Sequence, residues 1–509
     1  MHASSVGHDA AAGATAGGAR TVMRRALLFC LALSASGQAL AALPDRVAAI
    51  AAALDVPENE ISVYVAPVDG GPPVLEHLPD VARTPASTLK LLTTFAALDG
   101  LTPAYRWHTE AWALGELRDG TLDGDLLLRG GGDPWLVAQR YWSFVGGIRR
   151  AGVERVTGDL VIDDSAFELP AEDPGAFDGQ RDRVYNVLPH ALLVNFTAAR
   201  FDVEARGSQV DVDVFPALPN LDLVNRLRTR GGGCGGFQRG VAVHVRDAEP
   251  APSRGRVILE GRFPESCHRY GLTRSVLTPQ AYAWGLFDTY FRQFGGEPPR
   301  AWRTGTLPAP PDEDARADLE AGYPPAHRLL HRFESRPLGE LVQLVNKHSN
   351  NVMTRHLQLT LGIERFGTPA TPEKGERALH EQLERHGIDL QGLVIDNPSG
   401  LTREARITAR QMGAVLSAAW RSPVMPEFVA SLGIVGLDGT VRRRLAGRPA
   451  AGRMHLKTGT IDEVSAIAGY ALSASGTRHV VAVFVNGPLA DRGPGREIQD
   501  ALLEWVHGL

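Results

Sequence analysis

Ser87 and Lys90 stand three residues apart in "PASTLK", at the head of a stretch whose apolar Leu89, Leu92, Phe95 and Leu98 recur at helical spacing. That spacing sets a hydroxyl and an amine on one face of a helix start. A serine hydroxyl is a poor nucleophile until a base takes its proton. A lysine that desolvation and neighbouring cations strip of its own proton can be that base. Arginine stays charged and cannot. Composition sharpens the contrast: of 53 lysines plus arginines, only Lys90, Lys347, Lys374 and Lys457 are lysine. A chain that uses arginine almost everywhere keeps a lysine beside this serine, so its task is read as proton transfer.

Two further groups follow in order. Ser349 and Asn351 make a Ser-x-Asn triplet in "NKHSNN", and Lys457, Thr458, Gly459 and Thr460 make "KTGT" on an expected strand. Each is weak alone. In this order they form the serine acyl-transfer set of penicillin-binding proteins and β-lactamases. Together with "LRGGGDPWL", "GDLVIDDSAF", "DNPSGLTR" and "GLDGTVRRR", they make the chain resemble the D-alanyl-D-alanine carboxypeptidase/endopeptidase family, the class C low-molecular-mass penicillin-binding proteins, over essentially the whole mature chain.

The resemblance implies a role for each residue. Ser87 would attack the carbonyl of a penultimate D-Ala, or a β-lactam ring, with Lys90 as general base. Ser349 would relay a proton to the leaving amine, and Asn351 would hold the substrate amide. Lys457 would bind a carboxylate or tune the electrostatics, with Thr458 and Gly459 beside it. The backbone N–H groups of Ser87 and Thr460 would form the oxyanion hole. Arg403 matches a family arginine at the substrate side of the cleft. In "FDGQRDRVYN", Asp182 or Asp178 would read the free amine of a diaminopimelate stem, a solvated loop carboxylate being an equal reading for either. Tyr185 would pack on the stem or in the core. Asn350 stands where many members have Asp, and Pro398 where Gly is common. Partners so implied are peptidoglycan stem peptides, with β-lactam antibiotics as inhibitors. No cofactor is implied, and no His/Cys/Asp cluster has metal spacing.

The elements that must hold these residues follow the same resemblance. The implied fold is α/β: a penicillin-recognising, serine transpeptidase-like domain, an antiparallel sheet flanked by helices, with inserted β-rich domains. Expected boundaries are 43–105 and 322–509 for the catalytic part, 106–190 and 270–321 for one insert, and 191–269 for the second. The 262 residues from Ser87 to Ser349 leave room for the inserts, which a β-lactamase normally lacks. Hydrophobic patterning agrees. Two strands flank an Asp-Gly-Gly-Pro turn at 61–78, short strands separated by Gly and Asp run from about 106 to 320, and a helical pattern returns at 335–362. Three strands and a helix close the chain, and 308–325 reads as a linker.

At Met23 a stretch begins with two arginines, an apolar run and an Ala-Leu-Ala-Ala end, the pattern of a secretory signal peptide over 23–42. Residues 1–22 read as a non-native or disordered extension. Losing Arg20, Arg24, Arg25 and Asp9 with this leader takes the formal charge from −5 to −7, which gives no footprint for nucleic acid. The apolar run is too short to span a membrane, so the expected location is periplasmic, with loose association to the membrane or the cell wall left open. The mature chain then holds two cysteines, Cys234 and Cys267, for which a disulfide is the default in an oxidising compartment. The leading function is an exported serine DD-peptidase that releases terminal D-Ala, cuts the D-Ala–diaminopimelate cross-links of peptidoglycan, or does both. A serine β-lactamase, or a non-catalytic wall-binding protein of the same fold, remain alternatives.

Overall fold

The structure, a computed structural model, describes residues 42–248, 253–307 and 327–509. The expected extension, the signal peptide up to Ala41 and the linker 308–325 lie outside the described residues.

Both ends of the chain build one six-stranded sheet. Its order is Gly433–Ile434, Met454–Ile461, Val464–Leu472, Arg478–Asn486, Ile61–Pro67, Leu75–His77, and each neighbouring pair is antiparallel. "HVVAVFVN" and "ISVYVAP" are almost unbroken runs of apolar, largely β-branched residues, as expected of strands covered on both faces. Alternate side chains separate accordingly. Val480, Ala482 and Phe484 join the core of Leu91, Phe95 and Met412. Val481, Val483 and Val485 join Val47, Ile498 and Leu502 under the N- and C-terminal helices Asp45–Ala53 and Pro494–His507.

The helix Lys90–Leu101 follows a 3-10 turn, Ala86–Leu89, and is buried along most of its length. The helical pattern at 335–362 is two helices, Leu338–His348 and Asn351–Phe366, broken at Ser349. Between the two catalytic segments lies a mixed sheet ordered Trp302–Thr304, Leu160–Asp163, Thr121–Gly130, His108–Arg118, His327–Glu334. Beyond it come two three-stranded sheets, one of Val241–Ala248, Arg254–Pro264 and Leu221–Arg230, the other of Arg269–Ser275, Ala198–Arg206 and Gln209–Phe215. The expected disulfide joins Cys234 to Cys267 at a Cα separation of 4.9 Å.

Two features differ from expectation. The strand His327–Glu334 pairs antiparallel with His108–Arg118, so it belongs to the inserted sheet and not to the catalytic segment that a boundary at 322 assigned it to. The inserted region also holds two helices, Ala138–Arg150 and Pro279–Gln293. Their aromatic-rich sequences have strand propensity, but Tyr141, Phe144, Tyr282 and Phe287 bury together in one core, and that tertiary packing decides.

Candidate active site

The nucleophile turn is set by close packing. Ala86 takes a positive φ of 44° just ahead of Ser87. Gly400, at φ +71°, lies so near that a Cβ would fall 1.9 Å from the Ala86 carbonyl oxygen. Gly459 has the same constraint on the other side: a Cβ there would stand 2.6 Å from the Pro85 oxygen and 2.8 Å from the Ser87 amide nitrogen. Only glycine at both positions lets the loop and the edge strand Met454–Ile461 close on Ser87. The glycine of "KTGT" therefore brings the backbone leading to Thr460 beside the Ser87 N–H.

Lys90 is fully buried, and its Nζ has three neighbours: Ser87 Oγ at 3.0 Å, Asn351 Oδ1 at 2.8 Å and the Ser399 carbonyl oxygen. The Asn351 orientation is fixed from its other end, where Nδ2 donates to the Tyr185 carbonyl at 2.9 Å. Burial, then the nearby Lys457 charge, holds the Lys90 pKa well below that of a free lysine. A neutral amine has two N–H donors and one lone pair. The amide oxygen and the carbonyl oxygen can only accept, so they take the two donors, and the lone pair is left for the Ser87 hydroxyl.

Ser349 occupies the left-handed region at φ 58°, ψ 41°, between its two helices. That costly conformation for a non-glycine residue turns its hydroxyl toward the edge strand. Lys457 Nζ donates to Ser349 Oγ at 3.0 Å and to the Thr458 carbonyl at 2.6 Å. Lys457 is also fully buried, which lowers its pKa to about 7. Thr458 donates to Thr440 Oγ1 at 2.8 Å, while Thr460 is exposed. Asn350 caps the following helix, its side chain accepting from the Met353 amide at 3.0 Å. Asp would cap equally well, which accounts for either residue there.

Ser87, Lys90 and Asn351 thus form one hydrogen-bonded group and Ser349, Lys457 and Thr458 a second, with Gly459 packed against the Ser87 amide between them. Arg403 lies at the rim, paired with Asp462 at 2.9 Å and stacked on Phe177 at 5.4 Å. It lines a cavity of about 340 Å³ with Tyr185, Asn351, Ser399 and Thr402. Tyr185 is exposed there and is not a core residue. Asp182 is not part of this group: Arg274 holds its carboxylate at 2.8 Å, and it does not line the cavity. Asp178 is likewise engaged, accepting from Tyr185 Oη at 2.6 Å and Asn186 Nδ2 at 2.8 Å. The carboxylates that line the cavity are Glu172, Asp173 and Asp396. Sequence reasoning also missed Ser399, which acts through its backbone, and Thr440. Lys347, beside the Ser-x-Asn triplet, is bound to Asp438 at 2.6 Å. Among the described residues no group of three or more His, Cys, Asp or Glu could hold a metal ion, and no helix is long and apolar enough to cross a membrane.

Comparison with known proteins points the same way. The D-Ala-D-Ala carboxypeptidase 3 (S13) family model matches residues 43–509. The chain is 25% identical over 416 residues to D-alanyl-D-alanine carboxypeptidase DacB of Haemophilus influenzae, covering 79% of this chain and 80% of the relative. It is 27% identical over 409 residues to a D-alanyl-D-alanine carboxypeptidase of Actinomadura sp., covering 76% and 70%. The crystal structure of Haemophilus influenzae penicillin-binding protein 4 superposes with a TM-score of 0.75 at 21% identity, over 92% of this chain and all of that one. The same protein complexed with a β-lactam superposes at 0.69 and 20% identity, over 88% and 96%. At these identities the structures establish the shared fold.

Proposed function

The chain belongs to the D-Ala-D-Ala carboxypeptidase 3 (S13) family of serine peptidases, and from that membership we propose an exported DD-peptidase that works through an acyl-enzyme on Ser87. Lys90, neutral in its buried site, takes the Ser87 proton as Oγ attacks the carbonyl carbon of the penultimate D-Ala. The Ser87 and Thr460 N–H groups receive the oxyanion. As the intermediate collapses, the C–N bond breaks and Ser349 passes a proton to the departing amine. Lys457, in its protonated form, holds the substrate carboxylate beside Thr458. Water then releases the acyl group. A β-lactam acylates the same oxygen, and its ring nitrogen stays tethered. The family relative that binds a β-lactam in its crystal supports this reading. So does the leader-like segment at Met23 for export. Asn351, Arg403 and the 340 Å³ cavity would take the donor stem.

The observation that carries the proposal is the buried Lys90 Nζ 3.0 Å from Ser87 Oγ, with both its other neighbours restricted to accepting. Fluorescent penicillin tests it, together with D-alanine release from a pentapeptide stem. A persistent label and released D-alanine are expected. Rapid loss of label would indicate a β-lactamase, and no label would indicate a wall-binding protein.

A further inference from the structure

The inserted sheet of Leu221–Arg230, Arg254–Pro264 and Val241–Ala248 has two unlike faces, because alternate residues of a strand point to opposite sides. Leu227, Val257, Leu259 and Phe263 are buried in one core with Phe201, Val203 and Val210 of the second three-stranded sheet. The residues between them face the other way, and there Arg226, Arg228, Arg246, Arg256 and Arg262 are exposed. Arg230 and Arg254 bring this outer face to seven arginines, against two carboxylates, Asp222 and Glu260.

Strand register makes this arrangement costly. Arg228 stands beside Arg262, and Arg246 stands opposite Arg256. Adjacent strands lie about 4.8 Å apart, and like charges at facing positions destabilise a sheet. The two carboxylates are already engaged: Asp222 with Arg254 at 2.6 Å and Arg256 at 3.2 Å, Glu260 with His244 at 3.1 Å and Arg226 at 3.9 Å. Arg228, Arg246 and Arg262 make no hydrogen bond or ion pair among the described residues. The second sheet is built differently. On its outer face Arg200 pairs with Asp202 at 2.9 Å, Arg206 with Glu204 at 3.0 Å and Arg269 with Asp202 at 2.9 Å. The chain as a whole carries −5, so the unneutralised cations are a local property of one face.

Size and composition select the partner. Strands of 10, 11 and 8 residues make a face about 30 Å long and about 10 Å across. None of the exposed large apolar side chains lies on it. A protein partner is gripped by apolar or aromatic anchors at the centre of an interface, and this face offers none. A plane of phosphates needs only charge, and guanidinium forks match phosphate oxygens. Clustered basic side chains are drawn to anionic lipid for this reason. The leader-like segment at Met23 would carry the chain across a membrane, and among the described residues no helix could span one.

We propose that the arginine face of this sheet docks the protein peripherally on the phosphate headgroups of an anionic phospholipid membrane. Headgroup phosphates relieve the repulsion between Arg228 and Arg262 and between Arg246 and Arg256. The face belongs to the inserted region and holds none of the residues grouped around Ser87, so the docking is independent of the peptidase chemistry.

Flotation with vesicles of phosphatidylethanolamine and phosphatidylglycerol tests it, with phosphatidylcholine vesicles as the uncharged comparison. The wild type should bind the phosphatidylglycerol vesicles, leave phosphatidylcholine alone, and be released by about 0.5 M salt, where screening is strong. In Arg228→Glu with Arg246→Glu, each new carboxylate faces an arginine, so the sheet gains attraction where it had repulsion. Vesicle binding should fall about a hundredfold in that variant, while its melting temperature does not drop and its penicillin labelling is unchanged. Should it not fold, Arg228→Gln with Arg246→Gln should weaken binding about tenfold. Neutralising the second sheet instead, by Arg200→Gln with Arg206→Gln, should leave binding within about twofold of wild type. Equal binding to both vesicle types, binding to neither, or a folded reversal variant that binds like the wild type overturns the proposal. An equal fall in the second-sheet variant overturns it too, because net charge and not this face would then be responsible. Retention on purified peptidoglycan sacculi without vesicle binding would also overturn it and make the partner a wall polymer. Penicillin labelling of the wild type reads the peptidase assignment separately, whichever way the vesicles answer.

Discussion

Lys90 Nζ lies 3.0 Å from Ser87 Oγ, and the hydroxyl is the one neighbour of that amine able to give it a proton. Lys90→Arg should therefore be nearly as damaging as Lys90→Ala. Arginine keeps the charge but cannot give up its proton at usable pH. Loss of a positioned base costs on the order of a hundredfold to ten-thousandfold in rate. Lys457→Arg should lose far less, because its part is to hold a carboxylate. Penicillin acylation rates for the three variants check this, and equal losses at 90 and 457 would count against the base assignment.

The pH profile follows from the two buried lysines. Burial depresses both, which favours the neutral, proton-accepting form of Lys90, while Lys457 loses its proton as pH rises through about 7. The second-order rate of acylation should thus fall as pH rises past about 7, since the carboxylate-holding cation is lost. In Lys457→Arg that descending limb should vanish. Stopped-flow acylation from pH 5 to 9 reads it directly, and an unbroken plateau in the wild type would contradict the role given to Lys457.

Asn350 is a helix cap, so its replacement should be a stability effect. Asn350→Ala should cost about 1 kcal/mol, and Asn350→Asp should stay within about 0.5 kcal/mol of the wild type. Urea unfolding measures both. A large loss in Asn350→Asp would mean that the residue does more than cap.

What the sequence alone made legible was chemistry carried by side-chain type. Ser87, Lys90, Ser349, Asn351 and Lys457 announced themselves because few other residues can do their work. Ser399 was silent because its contribution is a carbonyl oxygen, which every residue has. Asp182 looked available because its neighbours in the chain are loop-like. Its partner Arg274 is ninety-two positions away, and only the fold brings them together. The strand at His327 and the two aromatic-rich helices are illegible in the sequence for a related reason: their state is decided by the sheet or core they join.

The disulfide lies within the inserted sheets, and the described catalytic residues include no cysteine. Reduction of Cys234–Cys267 should loosen that region and leave acylation of Ser87 largely intact. Thiol counting by intact mass on exported protein should find no free thiol before reduction. Two free thiols, or acylation that collapses on reduction, would contradict this.

The central claim is that Ser87 is the oxygen that becomes acylated, and mapping a penicillin adduct by peptide mass spectrometry tests it most directly. The account predicts one adduct, on the peptide that carries Ser87, and none on folded Ser87→Ala. An adduct on any other residue, or labelling that survives in Ser87→Ala, would contradict it.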